Sequence, residues 1–367
     1  MNRQKPINKA DCIVIGGGLV GMFTARELSR NGMQVTVIER GRAGRECSWA
    51  GGGILSPLYP WREPAALTEM IMFCQKEYPL LAQALKEDTG IDPEWWQSGI
   101  LLLEVQDTDL ATAWAVAAQS MLEMVTVEQL KVMEPPVKSH DGNAIHLPEV
   151  GQIRNSRLIP AMQKHLIKIG VAFLEHTEVR RIRLHNNTVQ SVATTQGEYS
   201  AAITIIANGA WGTDLLPALA IRPVRGQMIC YQATPGYIRH ILLKNSIYII
   251  PRRDGHILVG STVEDTGFDK GTTETARTFL AEAAEAMLPG IKQFPVIGHW
   301  SGLRPATQTG LPYICRHPEI NGLYLNIGHH RNGILLAPGS ARLLADIIIK
   351  RDTSMPLSAF QFPPGTS

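Results

Sequence analysis

The chain has 367 residues, of which 44% are apolar and 19% charged, and its formal net charge is +2. This length suits one large or two moderate domains. The near-neutral charge, without a long basic run, argues against nucleic acid or an anionic membrane as a partner. No stretch approaches the ~18 apolar residues that span a bilayer. Five cysteines without CxxC spacing predict reduced thiols and a cytoplasmic protein.

The first segment of the chain has a pattern typical of a nucleotide-binding domain. An apolar run at 12–15 enters a Gly-x-Gly-x-x-Gly turn at 16–21, the amphipathic stretch 22–31 predicts a helix, and a second apolar run, 33–38, ends on Glu39. This order of strand, glycine turn, helix, strand and acid is the dinucleotide-binding fingerprint in its full context. It predicts a bound dinucleotide, the alternative being a glycine-rich turn that binds nothing.

Each glycine of the turn has a separate purpose. Gly16 permits the tight turn, Gly18 lets the backbone approach a pyrophosphate, and Gly21 lets the helix pack closely on the strand. The helix N-terminus then points its free N–H groups at the phosphates. Glu39 is placed to accept hydrogen bonds from ribose hydroxyls.

The next segment, 44–55, is rich in glycine and small residues. Ser48 can donate a hydrogen bond to the pyrophosphate, and the glycines at 51–53 allow the backbone to approach a flat ring. Such a segment is expected of a flavoprotein, which has to hold an isoalloxazine ring. A flexible surface loop is the alternative, although Trp49 and the apolar pair 54–55 argue against a solvated loop.

Later apolar runs and proline clusters predict two interleaved domains. Strands are expected over 171–174, 203–207, 248–250, 257–259 and 323–327, and helices over 67–86, 158–169, 273–287 and 339–350. Prolines in 57–64, at 135–136 and in 217–223 interrupt these patterns. The predicted division is a flavin-binding domain of 10–64, 150–216 and 300–367 and a substrate-binding domain of 65–149 and 217–299.

The strand 323–327 leads into the segment 328–336, which predicts the start of a helix. A helix N-terminus here points N–H groups at whatever lies at the carboxyl end of the strand. Reduced flavin carries negative charge, which this positive end would stabilise. Ordinary helix capping, with Asn332 and Gly333 as turn residues, is the alternative.

Motifs along nearly the whole chain carry a family resemblance. They are 16–21, the spacing Glu39-x4-Gly44-x3-Ser48, 48–53, 56–62, 208–211, 223–228, 248–253, 302–305 and 331–334. In these segments, and in their order, the chain resembles the glycine oxidase branch of the D-amino-acid oxidase family, which are FAD enzymes of thiamine biosynthesis. The resemblance implies an α/β fold, in which a Rossmann-like FAD-binding domain with a parallel sheet is interleaved with an α+β substrate domain with a mixed or antiparallel sheet.

The chemistry that the resemblance implies is oxidation of glycine, or of small amines such as sarcosine and small D-amino acids. Hydride passes from Cα to FAD, and oxygen takes the electrons to give hydrogen peroxide. The imine is hydrolysed to glyoxylate and ammonia or feeds thiazole synthesis, so the implied partners are a small amino acid, oxygen and thiazole-synthesis enzymes. Relatives form homo-oligomers, often tetramers. FAD is expected to be non-covalent, because the residues around Cys315 do not match the attachment segment of the related sarcosine oxidases.

The resemblance also assigns site residues. Arg304 is expected to bind the substrate carboxylate through its planar fork, assisted by Tyr248, with Ile54, His330 and Arg331 in the substrate pocket. The expected cofactor-binding residues are Gly16, Gly18, Gly21, Glu39, Arg40, Ser48, Gly51, Gly53, Val179, Gly209, Trp211, Arg331, Asn332, Gly333 and Ile334. From its local sequence alone, Arg304 reads more often as a surface ion-pair partner. Arg252 and Arg253 are expected to be solvated, and no metal site is expected, since adjacent histidines at 329–330 lack metal-ligand spacing.

The sequence leaves open the orientation of His330 and the exact class of activity. Most relatives carry an aromatic residue where this chain has His330, which either makes the pocket polar and pH-dependent or points into solvent. A D-amino-acid dehydrogenase or oxidase and a sarcosine-type oxidase are close enzymatic alternatives. A non-catalytic flavin-binding subunit of an electron-transfer complex and an NAD-linked dehydrogenase are alternatives of a different class.

Overall fold

The computed structural model of the chain describes residues 10–138, 144–353 and 355–363, so the parts of the predicted domain ranges at 139–143, 354 and 364–367 lie outside the described residues. The strands are β1 (Cys12–Ile15), β2 (Val35–Ile38), β3 (Ile100–Leu102), β4 (Glu123–Val125), β5 (Ala144–Leu147), β6 (Ala172–Leu174), β7 (Val179–His185), β8 (Thr188–Thr194), β9 (Gly197–Tyr199), β10 (Ile203–Ile206), β11 (Arg222–Gln232), β12 (Ile241–Lys244), β13 (Ile247–Pro251), β14 (His256–Gly260), β15 (Val296–Ala306), β16 (Tyr313–Arg316) and β17 (Leu323–Ile327). The helices are α1 (Leu19–Arg30), α2 (Cys47–Ala50), α3 (Ala65–Thr89), α4 (Thr108–Ala118), α5 (Val127–Met133), α6 (Asn155–Lys168), α7 (Gly212–Leu215), α8 (Glu274–Met287) and α9 (Gly333–Ile349).

The first sheet has the strand order β16-β17-β10-β1-β2-β6, and all its neighbours are parallel except β16 and β17. The strands β1 and β2 are short and fully buried. One face, with Val14 and Val37, shares a core with α1, and the other, with Ile13 and Ile38, packs against β8. The predicted sequence of strand, glycine turn, helix and strand is present as β1, α1 and β2. In such a sheet the crevice for ligands opens at the carboxyl ends of the strands, where β10 and β2 lie on opposite sides of β1.

The second sheet is mixed and has the order β15-β11-β14-β13-β12-β3-β5-β4. Its strands pair antiparallel except for β12 and β3. A third sheet is the antiparallel meander β7-β8-β9. A parallel sheet beside a mixed sheet is the architecture that the sequence predicted, whereas the meander and the full length of β11 and β15 were missed.

The helix α3 packs against α6 and α9, and its buried side chains share one apolar core with those of α1 and β1. The predicted domain division places this helix in the substrate-binding domain. Its core contacts instead connect it to the parallel sheet, so we expect the division near residue 65 to move beyond Thr89. The other boundaries stay a prediction.

The segment His330–Ile349 is long and apolar enough to cross a membrane by length and composition, with a mean hydropathy of 1.3. The segment is not a run of ~18 apolar residues, since it includes Arg331, Arg342 and Asp346, so the prediction that no stretch approaches such a run is not contradicted. Of this window, 61% is buried inside the protein, where α9 packs against α1 and α3. A core helix enclosed by other helices is apolar around most of its circumference.

Candidate active site

A cavity of about 370 Å³ lies between the carboxyl ends of the parallel strands and the mixed sheet. The parallel side supplies the glycine turn after β1 and the turn after β17, and the mixed side supplies Met228, Tyr248 and Arg304. The predicted site residues that line it are Gly16, Gly18, Glu39, Arg40, Ser48, Gly51, Gly53, Ile54, Val179, Gly209, Trp211, Tyr248, Arg304, His330, Arg331, Asn332, Gly333 and Ile334. Segments that are up to 318 residues apart in the chain, from Gly16 to Ile334, thus meet at one cavity.

Gly21 is the predicted site residue that does not line the cavity. A Cβ atom at this position would lie 2.0 Å from the carbonyl oxygen of Gly16. The missing side chain therefore lets α1 pack directly on the turn, as the fingerprint predicts. Gly16 itself has a φ of +112°, in the region that only glycine adopts readily.

The N-terminus of α1 and the segment after β2 are joined by side-chain hydrogen bonds. Ser48 Oγ accepts from the backbone N–H of Leu19 at 2.9 Å, which leaves its own O–H free to donate. The Glu39 carboxylate accepts from the N–H groups of Gly17 at 2.8 Å and Gly41 at 2.9 Å. A carboxylate has about four lone-pair sites, so Glu39 keeps acceptor capacity toward the cavity.

Arg40 and Trp211 form one wall of the cavity. The Arg40 guanidinium lies 3.5 Å above the Trp211 ring and pairs with Glu46 at 2.9 Å. On its other side Trp211 stacks on Phe268, with 5.7 Å between ring centroids. Neither Glu46 nor Phe268 was predicted, because their contacts with this wall depend on tertiary structure.

Close packing requires glycine at positions 51 and 52. A Cβ atom would lie 2.8 Å from Ile334 Cδ1 at Gly51 and 2.6 Å from Ile250 Cδ1 at Gly52. The backbone of this segment therefore lies directly against its neighbours and forms part of the cavity wall. This arrangement fits the prediction that a flat ring lies against this segment.

The residues present also fit the dinucleotide that the fingerprint implies. Three buried polar atoms beside the cavity have no hydrogen-bond partner among the described residues, namely Asn208 Oδ1, Asn326 Oδ1 and His329 Nε2. Buried polar groups normally find partners. FAD therefore fits this cavity, which combines a glycine cradle, an acid at the end of β2 and unpaired polar atoms.

The prediction that Arg252 is solvated was wrong. Arg252 is only 5% exposed, and its guanidinium donates to Gln152 Oε1 at 2.7 Å and to the carbonyl oxygen of Gly52 at 2.7 Å. Burial and the nearby Arg154 lower its pKa to about 10, so it stays charged at neutral pH. Strand alternation gave a usable signal, since residues 248, 250 and 252 share one face of an extended strand. Arg253, on the other face, is exposed.

Arg304 lies on β15, directly opposite Val224 of β11. Its Nη2 donates to Ser261 Oγ and its Nη1 donates to the carbonyl oxygen of Thr262 at 3.2 Å. These bonds leave further N–H groups of its five for a ligand. Tyr248 is 8% exposed and lines the same cavity, so the two residues predicted to bind substrate lie together.

The turn 330–332, between β17 and α9, brings His330 and Arg331 to the cavity. Burial and the nearby Arg304, Arg331 and Arg222 lower the pKa of His330 to about 4. Of the two alternatives for this histidine, the structure shows the one that lines the cavity, and the side chain is neutral at neutral pH. Burial and Arg304 also lower the pKa of Arg331.

Glu63 is a residue of this site that sequence reasoning missed. Burial raises the pKa of its carboxyl group, while a hydrogen bond from Asn332 and the charge of Arg331 lower it. Glu63 therefore opposes part of the positive charge of the arginines. It belongs to the proline-rich stretch 57–64, which interrupts the predicted pattern of helices and strands.

Cys315 lies on β16, is 1% exposed and is not among the residues that line the cavity. Burial raises the pKa of its thiol to about 11. Both observations support non-covalent FAD. Within residues 10–138, 144–353 and 355–363, no group of three or more His, Cys, Asp or Glu side chains is arranged to hold a metal ion.

Comparisons with known proteins agree with this geometry. Residues 11–347 match the model of a family described as DAO, FAD dependent oxidoreductase. The chain is 41% identical to a glycine oxidase of Pseudomonas aeruginosa over 93% of this chain and 95% of that protein. It is 30% identical to a bifunctional protein ThiO/ThiG of Synechocystis, of which it covers 53%.

Among solved structures, a glycine oxidase from Geobacillus kaustophilus matches with a TM-score of 0.93 and 28% identity, over 98% of this chain and 99% of that one. An L-alpha-glycerophosphate oxidase of Mycoplasma pneumoniae with FAD bound has a TM-score of 0.80 at 19% identity, and shares the fold. The family match spans both the dinucleotide cradle and the strand that carries Arg304. The chain therefore belongs to the DAO family of FAD-dependent oxidoreductases.

Proposed function

We propose that this protein is an FAD-dependent amino-acid oxidase that deaminates glycine and small amines such as sarcosine or small D-amino acids. The overall reaction converts glycine, oxygen and water into glyoxylate, ammonia and hydrogen peroxide. One observation carries the proposal. Arg304 and Tyr248 face the same cavity as the dinucleotide cradle, so a carboxylate-binding cation lies next to the place for a redox cofactor.

Each side chain has a defined part in this reaction. Arg304 binds the substrate carboxylate with the N–H groups that Ser261 and Thr262 leave free, and this contact directs Cα toward the cofactor. Tyr248 contributes its hydroxyl at the same end of the cavity. When bound, FAD supplies the hydride acceptor and passes the electrons to oxygen.

The cofactor is held by the parallel side of the cavity. The N-terminus of α1 would face the pyrophosphate, Ser48 would donate to it, and Glu39 would accept from ribose hydroxyls. The N-terminus of α9 and the charge of Arg331 add positive potential at the ring end, which favours electron uptake from substrate.

The apolar side chains around the site favour a substrate with a small side chain. Ile54 packs against the cluster that contains Met228 and Tyr248, and all three line the cavity. Relatives named glycine oxidase, at 41% and 39% identity, support glycine as the substrate. The side chain of a bulky D-amino acid has to displace Ile54 or Met228.

The test is an anaerobic titration of the purified holoenzyme with glycine, followed by its visible spectrum. Bleaching of the flavin band near ~450 nm, a property of the cofactor, supports amine oxidation, and its return with peroxide on admission of oxygen supports an oxidase. Sarcosine, D-alanine and D-phenylalanine are parallel arms. A flavin that glycine leaves oxidised but D-phenylalanine bleaches overturns the proposed substrate. A flavin that none of these amines bleaches supports the electron-transfer subunit instead.

We also propose that the product serves the thiazole branch of thiamine biosynthesis, with thiazole-synthesis enzymes as partners. The relatives named bifunctional protein ThiO/ThiG support this, since the chain corresponds to about half of their length, 53–54%. We also propose a cytoplasmic homo-oligomer, with the tetramer as one possible form. Light scattering after size-exclusion chromatography tests the homo-oligomer, and a monomer at micromolar concentration contradicts it.

A further inference from the structure

The Arg304 guanidinium is in contact with residues to which the proposed reaction assigns no function. Gly226 of β11 lies against the guanidinium group, and Ser261 and Thr262, which follow β14, accept its N–H groups. We call Gly226, Ser261 and Thr262 the arginine seat. Gly226 belongs to the segment 223–228, a family motif that the proposed chemistry does not otherwise use.

The register of β11 against β15 shows why a side chain at residue 226 would clash with Arg304. In the antiparallel pair β11 and β15, Val224 lies opposite Arg304 and Gly226 lies opposite Gly302. Because side chains alternate between faces, Gly226 is on the same face as Arg304 and is its diagonal neighbour. A Cβ atom at 226 would lie 2.2 Å from Nη2 and 2.4 Å from Cζ of Arg304.

An added Cβ atom at residue 226 would meet the Arg304 guanidinium first. Gly226 is not among the glycines with positive φ, so its backbone accepts an alanine. The atoms nearest to the added methyl group all belong to the guanidinium of Arg304, the mobile end of a long side chain. Because residue 226 has no side chain, the positively charged guanidinium of Arg304 can lie directly against β11.

Side chains on the opposite face of β11 hold the arginine seat in place through hydrogen bonds. Arg225 and Gln227 are 4% and 0% exposed, and both donate to the Glu264 carboxylate, Arg225 Nε at 2.9 Å and Gln227 Nε2 at 2.9 Å. The backbone N–H of Gln227 donates to Thr262 Oγ1 at 2.8 Å. The turn that carries both hydrogen-bond acceptors of Arg304 is thus held by buried, charged contacts, which is how binding groups are kept in one geometry.

We infer that the arginine seat is a positioning device for carboxylate recognition, in which Gly226 sets the position of the Arg304 guanidinium and Ser261 and Thr262 set its plane. The inference rests on the proposed function, because it assigns how that site holds its substrate. Gly226 and Ser261 are positioning residues that act through Arg304. They control the affinity for the carboxylate group, and because Gly226 also lines the cavity, the FAD content of each variant has to be measured.

Gly226→Ala tests the seat in the FAD-loaded enzyme, with acetate as a carboxylate probe and the flavin spectrum as the readout. We expect acetate binding to weaken by at least about 10-fold, because a misplacement near 1 Å can cost up to about 100-fold in a well-oriented site. The apparent KM for glycine should rise by a similar factor, with a smaller change in kcat and with unchanged FAD content and Tm. Gly298→Ala is the matched control on β15, since its added methyl group meets Trp300 and Cys230 instead. Unchanged acetate affinity in Gly226→Ala overturns the inference.

A double variant separates positioning from a general structural effect. In an Arg304→Ala background, Gly226→Ala should weaken acetate binding no further, because the two residues act through one contact. An additive loss overturns the inference. If Gly226→Ala does not fold, Ser261→Ala removes one acceptor without adding volume, and wild-type acetate affinity in that variant also overturns it. Failure of the proposed function is distinct, since it appears in the wild-type protein as a flavin that glycine does not reduce.

Discussion

Removal of the Arg304 guanidinium should weaken the use of glycine far more than it affects FAD binding. Ser261 and Thr262 engage two of its N–H groups, and the others are available for one carboxylate. Truncation of one partner in a buried charged pair costs about 2–5 kcal/mol. The lower part of that range applies here, because Arg304 is half-buried and the charge of Arg331 stays nearby.

A loss of about 2–3 kcal/mol corresponds to a decrease in kcat/KM of about 30- to 160-fold. The assay is anaerobic flavin reduction across a range of glycine concentrations, with FAD content measured on the same sample. Arg253→Ala is the matched control, because Arg253 is exposed and its guanidinium lies 5.9 Å from the Trp96 ring. A decrease below about threefold in Arg304→Ala, which is under 1 kcal/mol, refutes the assignment, as does an equal loss in the control.

Three further predictions concern stability and the cofactor. Burial lowers the pKa of His329 to about 3, so the unfolded chain takes up a proton near pH 6.5 that the native protein does not. The free energy of unfolding should therefore fall as the pH is lowered from 6.5 toward 4, less steeply in His329→Gln, and parallel denaturation curves for the two proteins would contradict this. Gly21→Ala places a Cβ atom 2.0 Å from Gly16 O, so we expect purified protein with little FAD; a wild-type ratio of absorbance at 450 and 280 nm rejects this. Arg252→Met leaves the neutral buried acceptors Gln152 Oε1 and Gly52 O without their donor at a cost of about 1–3 kcal/mol, which chemical denaturation should detect, whereas exposed Arg253→Met should be near neutral.

The parts of this site that the sequence predicts are those encoded within one continuous segment. The fingerprint from Gly16 to Glu39 joins a strand, a turn, a helix and an acid, each within reach of its neighbours along the chain. Its geometry follows from local rules, because a parallel strand, a glycine turn and a helix can be connected in few ways. The turn 330–332 after β17 is predictable for the same reason.

Contacts between segments that are distant in the chain set the remaining geometry. Arg252 reads as a solvated arginine beside Asp254 and Gly255, whereas its contacts with Gln152 and Gly52, 100 and 200 residues away, make it a buried support. The arginine seat depends likewise on the register of β11 with β15, which places Gly226 diagonal to Arg304. A shift of one residue in that register would turn the side chains to the opposite face, and no local pattern excludes that shift.

The pKa of His330 is likewise set by contacts between segments that are distant in the chain. The local sequence around His330 leaves a pH-dependent pocket and a solvent-facing side chain equally open. Three arginines that reach it from separate segments, at 222, 304 and 331, oppose its protonation together with burial. The residue with an ordinary pKa near 6.5 is therefore neutral throughout the physiological range. His330 thus lines the cavity as a polar side chain without adding a positive charge to it.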